Sequence, residues 1–247
     1  MNTITILWQR QLKRYVRSRA RMIGSLGQPI LFLLALGFGF GPIYEKAGGG
    51  DYLQFLSPGI IAMMILFTAM FGGIELIWDK QFGFLKETLV APVSRFEIML
   101  GRTLGGATVA VGQGVVVLLI SVLAGFRPHW QLFPGALLAM FLIAMLFTAL
   151  GTAIACLLDD MQAFPIIMNF IMMPLFFLSG ALFPLSGLPT AVSVVATLDP
   201  LTYGVDALRG MLLGVSHFAL ATDFAVLIVV SLFALGIGSY LFSKTEI

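Results

Sequence analysis

The sequence predicts an all-α integral membrane protein with six transmembrane helices, and three observations carry that reading. Of 247 residues, 59% are hydrophobic and only 11% are charged, against about 25% charged in soluble domains. Six runs are apolar for about 20 residues, the length a helix needs to cross about 30 Å of hydrocarbon. The remaining charge gathers in a few short stretches between those runs.

The first twenty residues come before any span. Ile4, Trp8, Leu12 and Tyr15 recur at helical spacing, with Arg10, Lys13, Arg14, Arg17 and Arg21 over the rest of the surface. That pattern predicts an amphipathic interfacial helix over residues 1–21 with its cations toward anionic headgroups. The remainder, 22–247, holds the spans. They run over Met22–Ile43, Leu56–Trp78, Leu104–Phe126, Leu132–Leu158, Ala163–Leu182 and Phe224–Phe242. The first run holds Pro29 and several glycines with no small-x-small cleavage site after it, so it is read as a retained span.

An even number of spans puts both termini on one side, and positive charge selects which. Termini-inside places eleven of the 14 Lys and Arg on the inner face and leaves Lys46, Arg127 and Arg209 outside. Both termini are therefore expected to be cytoplasmic, in a cell inner membrane with lipid as the surrounding partner. Cys156 stands alone in an apolar run, which excludes an intrachain disulfide and a cysteine metal site.

Residues 79–102, DKQFGFLKETLVAPVSRFEIMLGR, break this apolar pattern. Phe82, Leu85 and Leu89 share one side of a short helix, while Lys86 and Glu87 face elsewhere. Pro92 disfavours helical geometry at the residue before it, and Ser94-Arg95-Phe96-Glu97 has the spacing of a capping box. The segment reads as a short amphipathic cytoplasmic helix, a turn, and a restart into the third span. Two readings stand from physics: a plug for another protein's groove, or a helix lying flat on lipid.

Residues 183–222 are apolar but interrupted. A span here would carry Asp199, Asp206 and Arg209, each costing roughly 2.5–3.5 kcal/mol near mid-membrane. Two short helices fit better, with Asp199 capping the second and Pro200 at its first position. Asp206 and Arg209 then share a face. A re-entrant or interfacial hairpin at the outer leaflet is expected, and a structured loop capping the bundle is the alternative.

Within the spans, Glu75 is the one carboxylate clearly inside, one turn from Trp78 and Asp79. Such residues are functional candidates, although snorkelling to the interface is an equal reading. Pro165, Asn169 and Pro174 interrupt the fifth span, so Glu75, Asn169 and Pro174 are candidates for a translocation path. Gly101-Arg-Thr-Leu-Gly-Gly is read as small-residue helix packing. The chain has no G-x-x-x-x-G-K-[ST] phosphate loop, no H-E-x-x-H and no G-x-S-x-G. It is expected to be non-catalytic, with no metal site, no cofactor of its own and no nucleic acid partner.

The string DKQFGFLKETLVAPVSRFEIMLGRTLGG resembles the first cytoplasmic loop of ABC transporter permeases of the type-2 exporter class. That class includes drug-efflux permeases and the permease of rhizobial lipo-oligosaccharide export. The matching positions are Phe82, Gly83, Phe84, Leu85, Pro92, Ser94, Arg95, Gly101 and Arg102. FLSPGIIAM at the second span and LFPLSGLP followed by LDPLTYGVDALRGML match as well. The resemblance implies that 79–102 is a coupling helix receiving the motion of a separate ATPase subunit, present in two copies and carrying the ATP and Mg. It also implies a second permease copy, and outer-leaflet helices around Asp199, Pro200, Tyr203, Asp206 and Arg209. The function expected is export of an amphipathic or lipid-like substrate; the rival is a stand-alone channel or secondary carrier.

Overall fold

The computed structural model describes residues 3–84, 93–187 and 189–244, and every regular element among them is helical. Helix α1 (Thr3–Arg17) and the short α2 (Arg19–Gly24) lead into α3 (Gly27–Lys46). Then come α4 (Tyr52–Phe71), α5 (Ile74–Gln81), α6 (Arg95–Leu123), α7 (Phe133–Cys156) and α8 (Ala163–Leu178). The short α9 (Thr190–Leu198) and α10 (Pro200–Leu213) precede the last helix, α11 (Leu220–Ser243).

Five stretches are long and apolar enough to cross a bilayer: Met22–Lys46, Tyr52–Gln81, Arg95–Leu123, Trp130–Cys156 and Leu220–Ser243. The sixth expected run, Ala163–Leu182, departs from expectation because it is helical only to Leu178. Its 16 residues rise about 24 Å, short of a hydrocarbon core of about 30 Å. The helix stops where Gly180 takes a positive φ of 73° and Leu185 packs under it, too close to admit a side chain. Hence α8 does not reach spanning length on its own.

α4 is the central helix. It is apolar all round and buried on nearly every side, as a helix enclosed by others must be. Asp51 caps it by accepting from the Leu53 N–H. α3, α6, α7 and α10 pack around it, α11 lies along α7, and α1 lies along α6. At Gly72 and Gly73 the helical bonds tighten to i−3, with Gly73 N–H donating to Met70 O and Leu76 N–H to Gly73 O. A Cβ at Gly73 would fall 2.3 Å from Gly151 O, and one at Gly151 would fall 2.5 Å from Met70 O. The α4–α5 bend and α7 thus meet backbone to backbone, which only glycine permits.

α1 corrects one expectation. Its cations do not all turn to headgroups. The helix docks on α6 through Ile4, Leu7, Trp8 and Gln11, which lie over Gly101 and Gly105. Trp8 Nε1 donates to Thr108 Oγ1 at 3.0 Å, and Arg10 and Arg14 reach carboxylates of α5. Glycines in the Gly101–Gly106 run serve close packing as the sequence suggests: Gly106 meets Thr148 of α7 on its other side.

Candidate functional site

At the end of the bundle that carries α1, five charges converge. Asp79, near the end of α5, is 3% exposed. It accepts from Arg10 Nη2 of α1 at 3.0 Å and from Arg102 Nη2 of α6, with Arg14 Nη1 at 3.8 Å. Glu75, one turn earlier on the same face, has Arg14 Nη1 at 3.7 Å. Two carboxylates spaced i, i+4 on α5 therefore face two guanidiniums spaced i, i+4 on α1, and Arg102 closes the cluster. Paired in this way, buried charge is tolerated; with a partner missing it is not.

α5 is held on its other side as well. Lys80 Nζ donates to Cys156 O at 2.8 Å and to Leu158 O at 3.3 Å, and it pairs with Asp159 at 3.2 Å. These carbonyls end α7, where a cation meets both unsatisfied acceptors and the negative end of the helix dipole. Gln81 Nε2 adds a bond to Asp159 O at 2.8 Å.

The stretch expected to couple begins here. Phe82 and Phe84 are 62% and 52% exposed, and the Phe82 ring leans on Trp78 with centroids 5.6 Å apart. Gly83 between them takes φ 77°, a geometry suited to glycine. Leu85, Lys86, Glu87, Leu89 and Pro92 lie outside the described residues. The chain re-enters at Ser94, whose side chain accepts from Glu97 N–H while Glu97 accepts from Ser94 N–H, the expected capping box. Arg95 then opens α6. A groove of about 700 Å³ runs beside this root, with Arg10, Lys13 and Arg17 along one wall and Trp78, Phe82 and Phe84 along the other.

A second cavity of about 620 Å³ reaches from this cluster into the bundle between α1, α3, α4, α6 and α7. Glu75 lines it. Asn169 and Pro174 do not join Glu75: both are exposed on the outward face of α8, and Asn169 Nδ2 donates to Pro165 O at 3.0 Å within its own helix.

The opposite end of the molecule holds the other expected cluster. Asp199 caps α10 by accepting from Leu201 N–H at 2.8 Å, with Pro200 in the first turn, as the sequence indicates. Burial pushes the Asp199 carboxyl up to about 7, against the lowering effect of that N–H. Tyr203 Oη donates to Thr197 O at 2.9 Å. Asp206 and Arg209 make their hydrogen bonds to different partners. Asp206 accepts from the His217 and Phe218 N–H groups at 2.7–2.9 Å, which fixes the loop into α11. Arg209 donates to Gly180 O at 3.1 Å and lies over the Phe55 ring at 4.1 Å. Burial lowers Arg209 to about 10, partly offset by Asp206, so it stays charged at neutral pH.

Sequence reasoning singled out Glu75 but missed Asp79 as the hub. The signal was present: acidic residues at 75 and 79 and basic ones at 10 and 14 repeat at the same helical interval. Nothing local said that the two pairs meet.

The described residues thus form a helical bundle with helices long enough to cross a membrane, one loop root of which is clamped to several helices. Comparison with known families agrees: the sequence pattern of the ABC-2 type transporter family matches residues 2–213. The chain belongs to that family, whose members are membrane subunits of ABC transporters working with an ATP-binding partner subunit. It is 27% identical over 211 residues to Nodulation protein J of Rhizobium leguminosarum bv. viciae, covering 84% of this chain and 81% of that protein. To the inner membrane transport permease YadH of Escherichia coli (strain K12) it is 28% identical over 232 residues, 90% of this chain and 88% of the other. The putative transport permease ycf38 of Cyanophora paradoxa is 28% identical over 212 residues, 83% and 72% of the two chains.

Proposed function

We propose that this chain is one half of an exporter's membrane pathway in the inner membrane, with residues 79–102 and both termini on the cytoplasmic face. A second copy completes the pathway, and two copies of a separate ATPase hydrolyse ATP with Mg and drive it. The substrate is amphipathic or lipid-like. The observation that carries this reading is the clamp around α5: Asp79 joins it to α1 and α6, and Lys80 joins it to α7. A push delivered at Phe82–Arg95 is passed to four helices at once, as a coupling element requires. The exposed rings of Phe82 and Phe84 supply the apolar face that a partner groove would cover. On α8, Ile166 and Phe170 point outward beside Asn169 and Pro174, and this face is assigned to the second copy and the pathway between the two.

Replacing Phe84 by Asp tests the reading. An unpaired charge in a dry contact costs on the order of several kcal/mol, so co-purification of the ATPase should weaken and transport should fall while membrane expression holds. The native complex should contain two permease chains per ATPase pair. An Asp variant that keeps its ATPase and its substrate-stimulated hydrolysis would leave the helix resting on lipid and remove the coupling assignment.

A further inference from the structure

The cavity beside the charge cluster is amphipathic along its length. Its volume of about 620 Å³ lies within the range of roughly 300–1,000 Å³ typical of small-molecule sites. Gln11, Arg14 and Arg102 line one end, and Met63, Met64 and Phe67 line the other together with Gln28, which follows the Ser25 that bonds Gln113 far along α6 from Arg102. From Glu75 back to Met63 is about 18 Å along the helix at 1.5 Å per residue, close to one leaflet's apolar depth of about 15 Å. Tyr15 and Trp78 stand at the polar end, the residue types that mark a membrane interface.

Charge and hydrogen bonding at that end are incomplete. Arg10, Arg14 and Arg102 face Glu75 and Asp79, three positive groups against two negative. Arg102 Nε and Thr148 Oγ1 are buried and find no hydrogen-bond partner among the described residues. Both residues line the cavity, Thr148 at 2% exposure, and Gly106 brings Thr148 against α6 one turn from Arg102. A buried donor without an acceptor is costly, and a phosphate oxygen is the acceptor that also balances the surplus charge.

We propose that this cavity binds one anionic phospholipid from the leaflet that meets α1, with the phosphate among Gln11, Arg14, Arg102 and Thr148. One acyl chain runs inward beside Met63, Met64 and Phe67. A free phosphate would satisfy the polar end but would leave the apolar half without an occupant. The site lies within a single subunit and requires no transport activity, so it stands or falls apart from the export reading.

The test uses the full-length chain in nanodiscs of phosphatidylcholine carrying a minor fraction of phosphatidylglycerol whose acyl chain ends in a diazirine. Photolabelling should map to the Met63–Phe71 stretch, at least about fivefold above that given by phosphatidylcholine with the same probe. Filling the cavity by Thr68→Trp, or separately by Val109→Trp, should cut that labelling by about tenfold, and glycerol 3-phosphate should not displace the lipid. Equal labelling by both headgroups, undiminished labelling in a filled variant that elutes as the native protein does, or displacement by glycerol 3-phosphate each overturns the proposal. If neither filled variant elutes normally, the headgroup comparison on the native chain decides.

Discussion

Asp79 accepts from guanidiniums on two helices that are far apart in sequence, and its own helix leads straight into the loop root. Replacing it by Asn keeps the shape but leaves Arg102 buried beside a neutral group. Removing one partner of a buried pair costs about 3–5 kcal/mol, so Asp79→Asn should lower the melting temperature in detergent markedly. Asp79→Glu should recover part of the loss, and equal melting of Asn and native forms would show that the cluster carries no stability. Asp199 offers a test by pH. Its folded value near 7 exceeds the unfolded value of about 3.9, so the folded state binds the proton more tightly. The resulting stability is complete below about pH 3.9 and is lost as pH rises through 7. Asn caps a helix as well as Asp does and does not titrate there. The melting temperature of the native protein should therefore fall relative to Asp199→Asn between about pH 5 and 8, and parallel curves would refute the assignment. Both aspartates are visible in the sequence, yet only Asp199 could be given its role there, because its partner is two residues away. The guanidiniums that hold Asp79 are 69 and 23 residues away, and no local pattern reports such a pairing.

Among the elements, α1 shows where periodicity stops being informative. Helical spacing predicts the helix correctly, but an amphipathic face does not say whether lipid or protein covers it. The glycines of α6 decide the matter. A Cβ at Gly105 would fall 2.6 Å from Gln11 Cβ, whereas at Gly112 nothing lies within 4 Å. Gly105→Leu should accordingly force α1 away from α6, costing about 1–3 kcal/mol of overpacking and opening the Arg17–Arg19 junction to trypsin. Gly112→Leu serves as the control and should leave digestion unchanged; equal protection of both variants would contradict the docked α1. The capping box at Ser94 and the Asp199–Pro200 start of α10 were legible because each is complete within four residues. The early end of α8 was not. It depends on Gly180 turning left-handed over Leu185, and apolar residues continue past that turn without a break.

For the whole molecule, hydrophobicity and charge fix the class, and the family match agrees with it. The count of crossings is less legible, since α8 is apolar but short and α9 and α10 lack the length to span. Topology can be checked directly. In a Cys156→Ser background, Ser186→Cys and Ser216→Cys should both react with a membrane-impermeant maleimide from outside. Labelling of only one would mean that the chain crosses between them and that the two termini lie on opposite faces. The same experiment bears on α8, because an outside Ser186 requires the short helix and its flanking turns to complete a crossing together.

The docking of α1 also sets a timetable for the ribosome. Trp8 bonds to Thr108, one hundred residues downstream, and Arg10 waits 69 residues for Asp79. At roughly 5–20 residues per second of synthesis, the amino-terminal helix emerges about 5–20 s before its seat on α6 exists. Until residues 75–79 have been made, Arg10 and Arg14 lack the carboxylates that hold them in the folded chain. α1 is thus made well before its seat on α6, and a chain stalled before residue 102 should hold α1 where a protease can still reach it.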